Sequence, residues 1–266
     1  MIKTILITGS TDGIGKQTAL ELASAGHKVI IHGRKKQRAK AAYDEIANAT
    51  GNNLLDYVTA DLSSLGEVRQ LAEDINSKYD KLDVLLNNAG VFYGQKELSA
   101  DGYEMTFAVN HLAHFLLTNL LLDTIKKADN GRIVTVSSMA HSSDIDFDNL
   151  QGEKFYDGYT AYACSKLCNI LFTFHLAKML AGTNVTANCL HPGVISTKLL
   201  HAGWGMGGGS LKQGAETSVY LAISKDVENI SGKYFVSKRA AHPAEISYDI
   251  EVQKRLWEIS LKMSGL

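Results

Sequence analysis

Apolar positions along the chain come in short unbroken runs rather than in strict alternation. The runs are Ile5-Leu6-Ile7 and residues 28–32, 54–59, 82–86, 132–136, 185–190 and 233–236. Runs of this length, β-branched or leucine-rich and bounded by turn residues, predict strands buried on both faces. Longer segments of helical character lie between them, at 16–25, 36–49, 66–79, 103–127, 159–181 and 213–223. Gly26 stops the first of these and Thr50-Gly51-Asn52-Asn53 ends the second. Strands that alternate with helices predict an α/β fold. Right-handed crossovers then give a doubly wound, seven-stranded parallel sheet in a three-layer αβα sandwich. With no linker and no internal repeat, residues 1–266 are expected to form one domain. Two segments break the rhythm: a polar, aromatic stretch at 139–158, and a glycine-crowded one within 194–212 that holds Gly203, Gly205, Gly207, Gly208 and Gly209. Such loops are expected to be functional, and here to border a substrate.

Charge and composition narrow the class. Lys plus Arg is 27 against 28 for Asp plus Glu, a net charge of -1. That balance disfavours a nucleic-acid binder, which would show a basic stripe, and a polybasic membrane surface. Hydrophobic residues are 45% and charged residues 21%, ordinary for a globular domain. No apolar stretch approaches the ~20 residues of a bilayer span, and the run at 4–8 is too short for a signal-peptide core. The expectation is a cytoplasmic protein without a membrane anchor. Cys164 and Cys168 stand at helical spacing with no second ligand pair nearby, so they read as packing and no metal site is expected.

Polar and glycine-rich clusters fall at the carboxyl ends of the predicted strands, the edge at which a parallel α/β sheet holds its ligand. The turn Thr8-Gly9-Ser10-Thr11-Asp12-Gly13-Ile14-Gly15 follows a strand and opens a helix. In that context glycines let a diphosphate approach backbone N–H groups at a helix N-terminus. A glycine turn without ligand is the bland alternative. The second strand ends His32-Gly33-Arg34, where an adenosine ribose would lie. A carboxylate there would repel a 2′-phosphate; Gly33 leaves room and Arg34 can clamp one, so NADP(H) is expected over NAD(H). Asp61-Leu62 reads either as an adenine contact or as a helix cap, a role Ser63 or Ser64 could also fill. Tyr162 and Lys166 share one helix face, one turn apart. Ser137-Ser138, Asn87-Asn88-Ala89-Gly90 and His191-Pro192-Gly193 end the fifth, fourth and sixth strands.

Thr8-Gly9-x-x-x-Gly13-Ile14-Gly15, Asn87-Asn88-Ala89-Gly90, Asn110, Ser138, Tyr162-x-x-x-Lys166 and Pro192-Gly193, in that order, resemble the short-chain dehydrogenase/reductase family over residues 3 to about 236. Segments 110–118 and 149–156 are similar to its retinol-dehydrogenase-like branch. The resemblance implies a Rossmann-type fold and hydride transfer between NADP(H) and a lipophilic aldehyde, ketone or alcohol. It implies Tyr162 as general acid, or base in the oxidative direction, and Ser138 as the residue holding the carbonyl oxygen. Lys166 would lower the phenol's pKa and bond the nicotinamide ribose. Asn110 would hold a water of a proton relay, distort its helix, or do both. The implied cofactor set is Gly9, Ser10, Thr11, Asp12, Gly13, Ile14, Gly15, Arg34, Asp61, Leu62, Asn88, Ala89, Gly90, Tyr162, Lys166, Pro192, Gly193 and Val194. One position departs from the pattern: Asp12 stands where many NADP-using relatives carry a basic residue, leaving Arg34 to carry the preference.

His111, His114 and His141 lack a nucleophile or carboxylate at defined spacing, so they read as packing or loop contacts; His191 lies near the nicotinamide with no catalytic role assigned. The substrate wall is expected from 91–94, 139–148 and the segment after Gly193, where Trp204 and Met206 read either as a lid or as an incidental surface loop. Leu171, Phe172 and Phe174 extend the apolar surface of the long helix beyond one stripe, which predicts a helix-paired homodimer. The rival function is a non-catalytic NADP(H)-binding sensor on the same fold, expected to lack the tyrosine or lysine. A sugar-nucleotide epimerase is expected to carry an acidic residue in place of Gly33 and a larger C-terminal region.

Overall fold

The computed structural model describes residues 1–266. The chain runs β1 (Thr4–Ile7), α1 (Gly13–Ser24), β2 (Lys28–Gly33), α2 (Lys36–Thr50), β3 (Asp56–Thr59), α3 (Leu65–Lys78) and β4 (Val84–Asn87). It continues through α4 (Met105–Phe107), a π turn (Ala108–Leu112), α5 (Ala113–Lys126), β5 (Gly131–Val136), α6 (Gly158–Met179) and β6 (Val185–His191). It ends with α7 (Lys198–Trp204), α8 (Leu211–Ile223), β7 (Tyr234–Val236), β8 (Arg239–Ala241) and α9 (Ile250–Ser264).

The sheet order is β3-β2-β1-β4-β5-β6-β7-β8. Strand order reverses between β1 and β4, which run parallel with Ile7 opposite Leu86. At that switch point the two neighbouring loops leave on opposite faces and open a crevice. Alternate residues of each strand feed two cores. Ile5, Ile7, Val29, Ile31, Val84 and Leu86 pack under α1, α2 and α8. Leu6, Ile30, Leu85 and Ile133 pack under α3, α5 and α6. This is the three-layer sandwich that the uninterrupted apolar runs predict.

The sheet has eight strands, not seven. Ser237 and Lys238 adopt φ of 48° and 63°, so a two-residue turn folds β8 back antiparallel on β7, with Phe235 opposite Ala240. Positive φ at two non-glycine residues has no Asn-Gly or Gly-Gly signature to announce it. The glycine-crowded segment contains a helix, α7, capped by the Thr197 side chain and closed by Gly205 in the left-handed conformation.

The structure also bears on two further expectations. The stretch Met105–Lys126 is long and apolar enough to cross a membrane by length and composition, and most of it is buried in the fold. Asn110, His111, His114 and Thr118 interrupt its apolar run in the sequence, yet all four are buried. The surface read as a dimer face is covered within the chain. Leu171, Phe172 and Phe174 are buried, Phe172 stacking on Trp257 of α9 at 5.9 Å and Phe174 meeting Tyr248 at 5.4 Å. The tail after β7 supplies the cover over these three residues, while Tyr159 and Met179 stay exposed on the same helix.

Candidate active site

A cleft of about 900 Å³ runs along the carboxyl edge of the sheet and over the switch point. Its floor at one end is the turn after β1. Gly9 has φ +64° there, and a Cβ on it would lie 2.8 Å from the Ala89 Cα, so the turn and the loop after β4 touch backbone to backbone. Asn88 ties them together, donating from Nδ2 to the Thr8 and Gly9 carbonyls at 2.8 and 3.2 Å. Asp12 caps α1, its carboxylate accepting the Gly13 N–H at 2.8 Å. The positive end of α1 therefore faces the cleft beside Gly9, Thr11, Gly13, Ile14 and Gly15, which all line it. Ser10 does not line it. Its hydroxyl donates to the Ile7 carbonyl at 2.8 Å and accepts the His32 N–H at 2.9 Å, which buries it beneath the turn.

The sequence did not single out His32 as a support of this turn. Its Nδ1 accepts the Gly9 N–H at 3.1 Å while its Nε2 faces the Ala60 carbonyl at 3.2 Å, an arrangement that places the proton on Nε2. Burial pulls its pKa down to about 4, so the ring is neutral. A residue on a strand end that bonds two separate loops leaves no pattern in the chain.

At the far end of β2, Arg34 is largely exposed and stands 3.9 Å from Asp61. Arg38, in the first turn of α2, lines the same wall, a second cation that no spacing in the sequence signals, since Arg34 lies before the helix. The space above Gly33 is taken by Thr11: a Cβ at Gly33 would meet the Thr11 methyl at 2.3 Å. Gly33 thus serves the packing of the turn. Asp61 accepts from the Ser63 N–H at 3.0 Å and hydroxyl at 2.8 Å, and the cap of α3 is Ser64. Asp61 and Leu62 both line the cleft. Asp12 has a cation after all: Lys198, at the start of α7, pairs with it across the cleft and holds its carboxyl below the usual range.

The chemical end is built on α6, whose N-cap Asp157 accepts the Thr160 N–H at 2.8 Å. Tyr162 and Lys166 project from this helix into the cleft wall. Lys166 Nζ lies 5.5 Å from the Tyr162 ring centre and donates to the Val136 carbonyl at 3.3 Å. Burial pulls the lysine down to about 8. Burial also pushes Tyr162 up to about 12, with the Ser138 hydroxyl opposing that rise by bonding the phenol. The expected depression of the tyrosine by Lys166 is not found: burial of the phenolate raises its pKa, and only the Ser138 hydroxyl opposes that rise. The two serines part company. Ser137 is buried, and its hydroxyl donates to the Lys166 carbonyl at 2.7 Å; Ser138 lines the cleft.

Asn110 sits inside the π turn, so the helix is distorted where the sequence placed a buried polar side chain. Its Oδ1 accepts the Val91 N–H at 2.8 Å, and its Nδ2 donates to the Val91 carbonyl and the Ser165 hydroxyl at 3.1 and 3.0 Å. The side chain is fully engaged, and the backbone carbonyl faces His114 Nδ1 at 3.1 Å. Asn88, Ala89, Gly90, Pro192, Gly193 and Val194 line the cleft. So does His191, which burial holds neutral with a pKa of about 4.

An aromatic cluster backs the cleft, and its Tyr162 and Trp204 line it. Phe92 lies 5.2 Å from Tyr159, 6.1 Å from Tyr162 and 5.5 Å from Trp204; Trp204 sits edge-on to Tyr162 at 5.3 Å. The Tyr159 hydroxyl bonds the Gly203 carbonyl, which pins α7 over the mouth. Of the loop 139–158, only Met139 and Ala140 line the cleft. Residues beyond them turn away, where Lys154 pairs with Asp146 at 2.9 Å. The glycine turn, the open cradle above α1 and the paired arginines fit a phosphorylated dinucleotide.

Residues 3–204 match the family model for short chain dehydrogenases. The chain is 41% identical over 281 residues to retinol dehydrogenase 13 from Homo sapiens, covering 99% of this chain and 85% of that protein. It is 38% identical to polyprenol dehydrogenase from Homo sapiens, covering 99% and 86%. Among solved structures, a short chain dehydrogenase from Escherichia coli CFT073 complexed with NADPH superposes with a TM-score of 0.74 at 26% identity, covering 89% of this chain and 97% of that one.

Proposed function

The chain belongs to the short-chain dehydrogenase family, and on that premise we propose that it is an NADP(H)-dependent oxidoreductase acting on lipophilic alcohols and their aldehydes or ketones. The observation that carries this reading is the meeting of Ser138, Tyr162 and Lys166 in one cleft that also holds the glycine turn. A bound nicotinamide supplies or takes the hydride. The chain's own residues manage the oxygen and its proton. A carbonyl oxygen lodged between the Ser138 and Tyr162 hydroxyls receives hydrogen bonds that strengthen as negative charge grows on it. Tyr162, its pKa pushed up to about 12, is a phenol at neutral pH and so is in the proton-donating form that reduction needs. Oxidation requires the reverse transfer, from alcohol to phenolate. Lys166 supports either direction with a positive charge beside the ring, present below about pH 8.

Arg34 and Arg38 on the β2 side support a 2′-phosphate and hence NADP(H). Phe92, Tyr159 and Trp204 around Tyr162 support an apolar substrate, as do relatives named for retinol and polyprenol. The test is NADPH oxidation with carbonyls ranging from retinal to small aromatic aldehydes, with Tyr162→Phe beside the wild type. Turnover that disappears in the variant is the expected result. NADPH binding with no turnover on any carbonyl would favour a cofactor sensor instead.

A further inference from the structure

We propose that His114, which does not line the cleft, is a positioning residue that couples the cofactor loops to the Asn110–Lys166 side of the site. His114 is buried on α5, and both of its ring nitrogens are used. Nδ1 lies 3.1 Å from the Asn110 carbonyl, inside the π turn. Nε2 lies 2.9 Å from the Thr8 hydroxyl, at the end of β1. A carbonyl can only accept, so the proton sits on Nδ1 and the Thr8 hydroxyl donates to Nε2. Thr8 Oγ1 in turn accepts the N–H groups of Asn88 and Ala89 at 2.9 and 3.0 Å. Its single proton has no other acceptor than the Leu86 carbonyl at 3.4 Å.

The imidazole therefore closes a chain of hydrogen bonds. The chain runs from the loop Asn88-Ala89, through Thr8 and His114, to the backbone of Asn110. At the other end Asn110 and the lysine flank Gly90: a Cβ there would lie 3.4 Å from Lys166 Nζ and 3.6 Å from Asn110 Oδ1. An aliphatic side chain could fill the volume of His114, but it would leave the Thr8 hydroxyl with only its long bond to Leu86. The charged and titratable groups that face His114 are Lys166, His32 and His111. Burial keeps the ring neutral, with a pKa of about 3, so this single tautomer persists across working pH.

The two nitrogens can be separated by substitution. An asparagine at this position carries its amide nitrogen where Nδ1 lies and keeps the Asn110 bond. A glutamine carries its amide oxygen where Nε2 lies and keeps the Thr8 bond. The readouts are NADPH affinity of the cofactor-free protein by fluorescence titration, the pH profile of kcat for carbonyl reduction, and the thermal midpoint. His114→Asn is expected to weaken NADPH binding about tenfold, the scale of one buried hydrogen bond. Its kcat profile should match the wild type. His114→Gln is expected to keep affinity within about twofold while kcat falls about tenfold with a shifted profile. His114→Leu should show both defects.

Thr8→Val offers a second approach that leaves α5 untouched. It also removes the acceptor of the Asn88 and Ala89 N–H groups, so it should weaken NADPH binding at least as much as His114→Asn, and the two losses should be less than additive in a double-mutant cycle. Asparagine and glutamine variants that alter both readouts together, in step with lost thermal stability, would overturn the coupling. So would variants that alter neither. The proposal rests on the nicotinamide reading of the cleft. A wild-type protein that binds neither NADPH nor NADH would overturn that reading, whereas an active wild type without the split overturns only the role of His114.

Discussion

The Ser137 hydroxyl donates to the Lys166 carbonyl at 2.7 Å, so two adjacent serines at the end of β5 have different tasks. Ser137 ties the strand to α6 and fixes the height of Lys166. Ser138 lines the cleft beside the Tyr162 phenol, where the proposed reaction places the substrate oxygen. Ser137→Ala is expected to lower stability by about 1–2 kcal/mol, the loss of a buried side-chain hydrogen bond. Ser138→Ala should leave the thermal midpoint unchanged and reduce kcat by roughly a hundredfold. Thermal melts and steady-state kinetics on both variants check this; interchanged phenotypes would reverse the assignment.

The pH dependence follows from the two buried groups of α6. Tyr162 stays protonated far above neutrality, with a pKa near 12, while Lys166 loses its charge near 8. Carbonyl reduction should be level up to about pH 8 and fall above it as the lysine charge disappears. Alcohol oxidation needs the phenolate, so its rate should rise with pH. Measuring kcat in both directions between about pH 6 and 10 tests this, and a reduction rate that climbs with pH would refute it.

Arg34 and Arg38 line the β2 side of the cleft, where the proposed preference for NADP(H) rests. Arg34→Ala should weaken NADPH about tenfold or more and NADH by less than about twofold, since only NADPH carries the 2′-phosphate. Arg38→Ala should act in the same direction. Equal losses for the two cofactors would assign these arginines to the shared part of the dinucleotide.

Four histidines make the protein acid-sensitive. Burial holds His32, His111 and His191 down to about 4 and His114 to about 3. Each is neutral when folded, but each takes a proton in the unfolded chain near pH 6.5. The unfolded state therefore binds more protons below that pH, and stability falls as pH drops from 6.5 toward 4. Urea midpoints at pH 7, 6 and 5 should decrease steadily, by several kcal/mol in total as an order of magnitude. A midpoint that holds or rises would show that these rings are solvated.

Trp204 lies edge-on to Tyr162 and at the end of the α7 helix that Tyr159 pins. Trp204→Ala should raise KM for retinal about tenfold, with a smaller change for a short aliphatic aldehyde that reaches Tyr162 without touching the indole. Equal KM changes for both would place the long substrate elsewhere.

Much of this protein was legible in its chain. Apolar runs such as residues 28–32 can only be strands covered on both faces, and helical segments between them leave a parallel sheet as the economical solution. Tyr162 and Lys166 share a face because four residues make about one turn, and the turn from Thr8 to Gly15 carries the glycines that Gly9 at φ +64° requires. These are local properties, set by backbone geometry and the period of side chains.

Contacts between distant segments were decided by the tertiary structure alone. No spacing rule links His32 to Gly9, Lys198 to Asp12, or His114 to Thr8, because each pair meets only once the sheet is assembled. The same holds for the α9 cover over Phe172 and for the Ser237-Lys238 turn that added an eighth strand. Periodicity reports which face of an element is buried. It carries no record of what buries it, and the hydrogen bonds that tune a site run across the chain rather than along it.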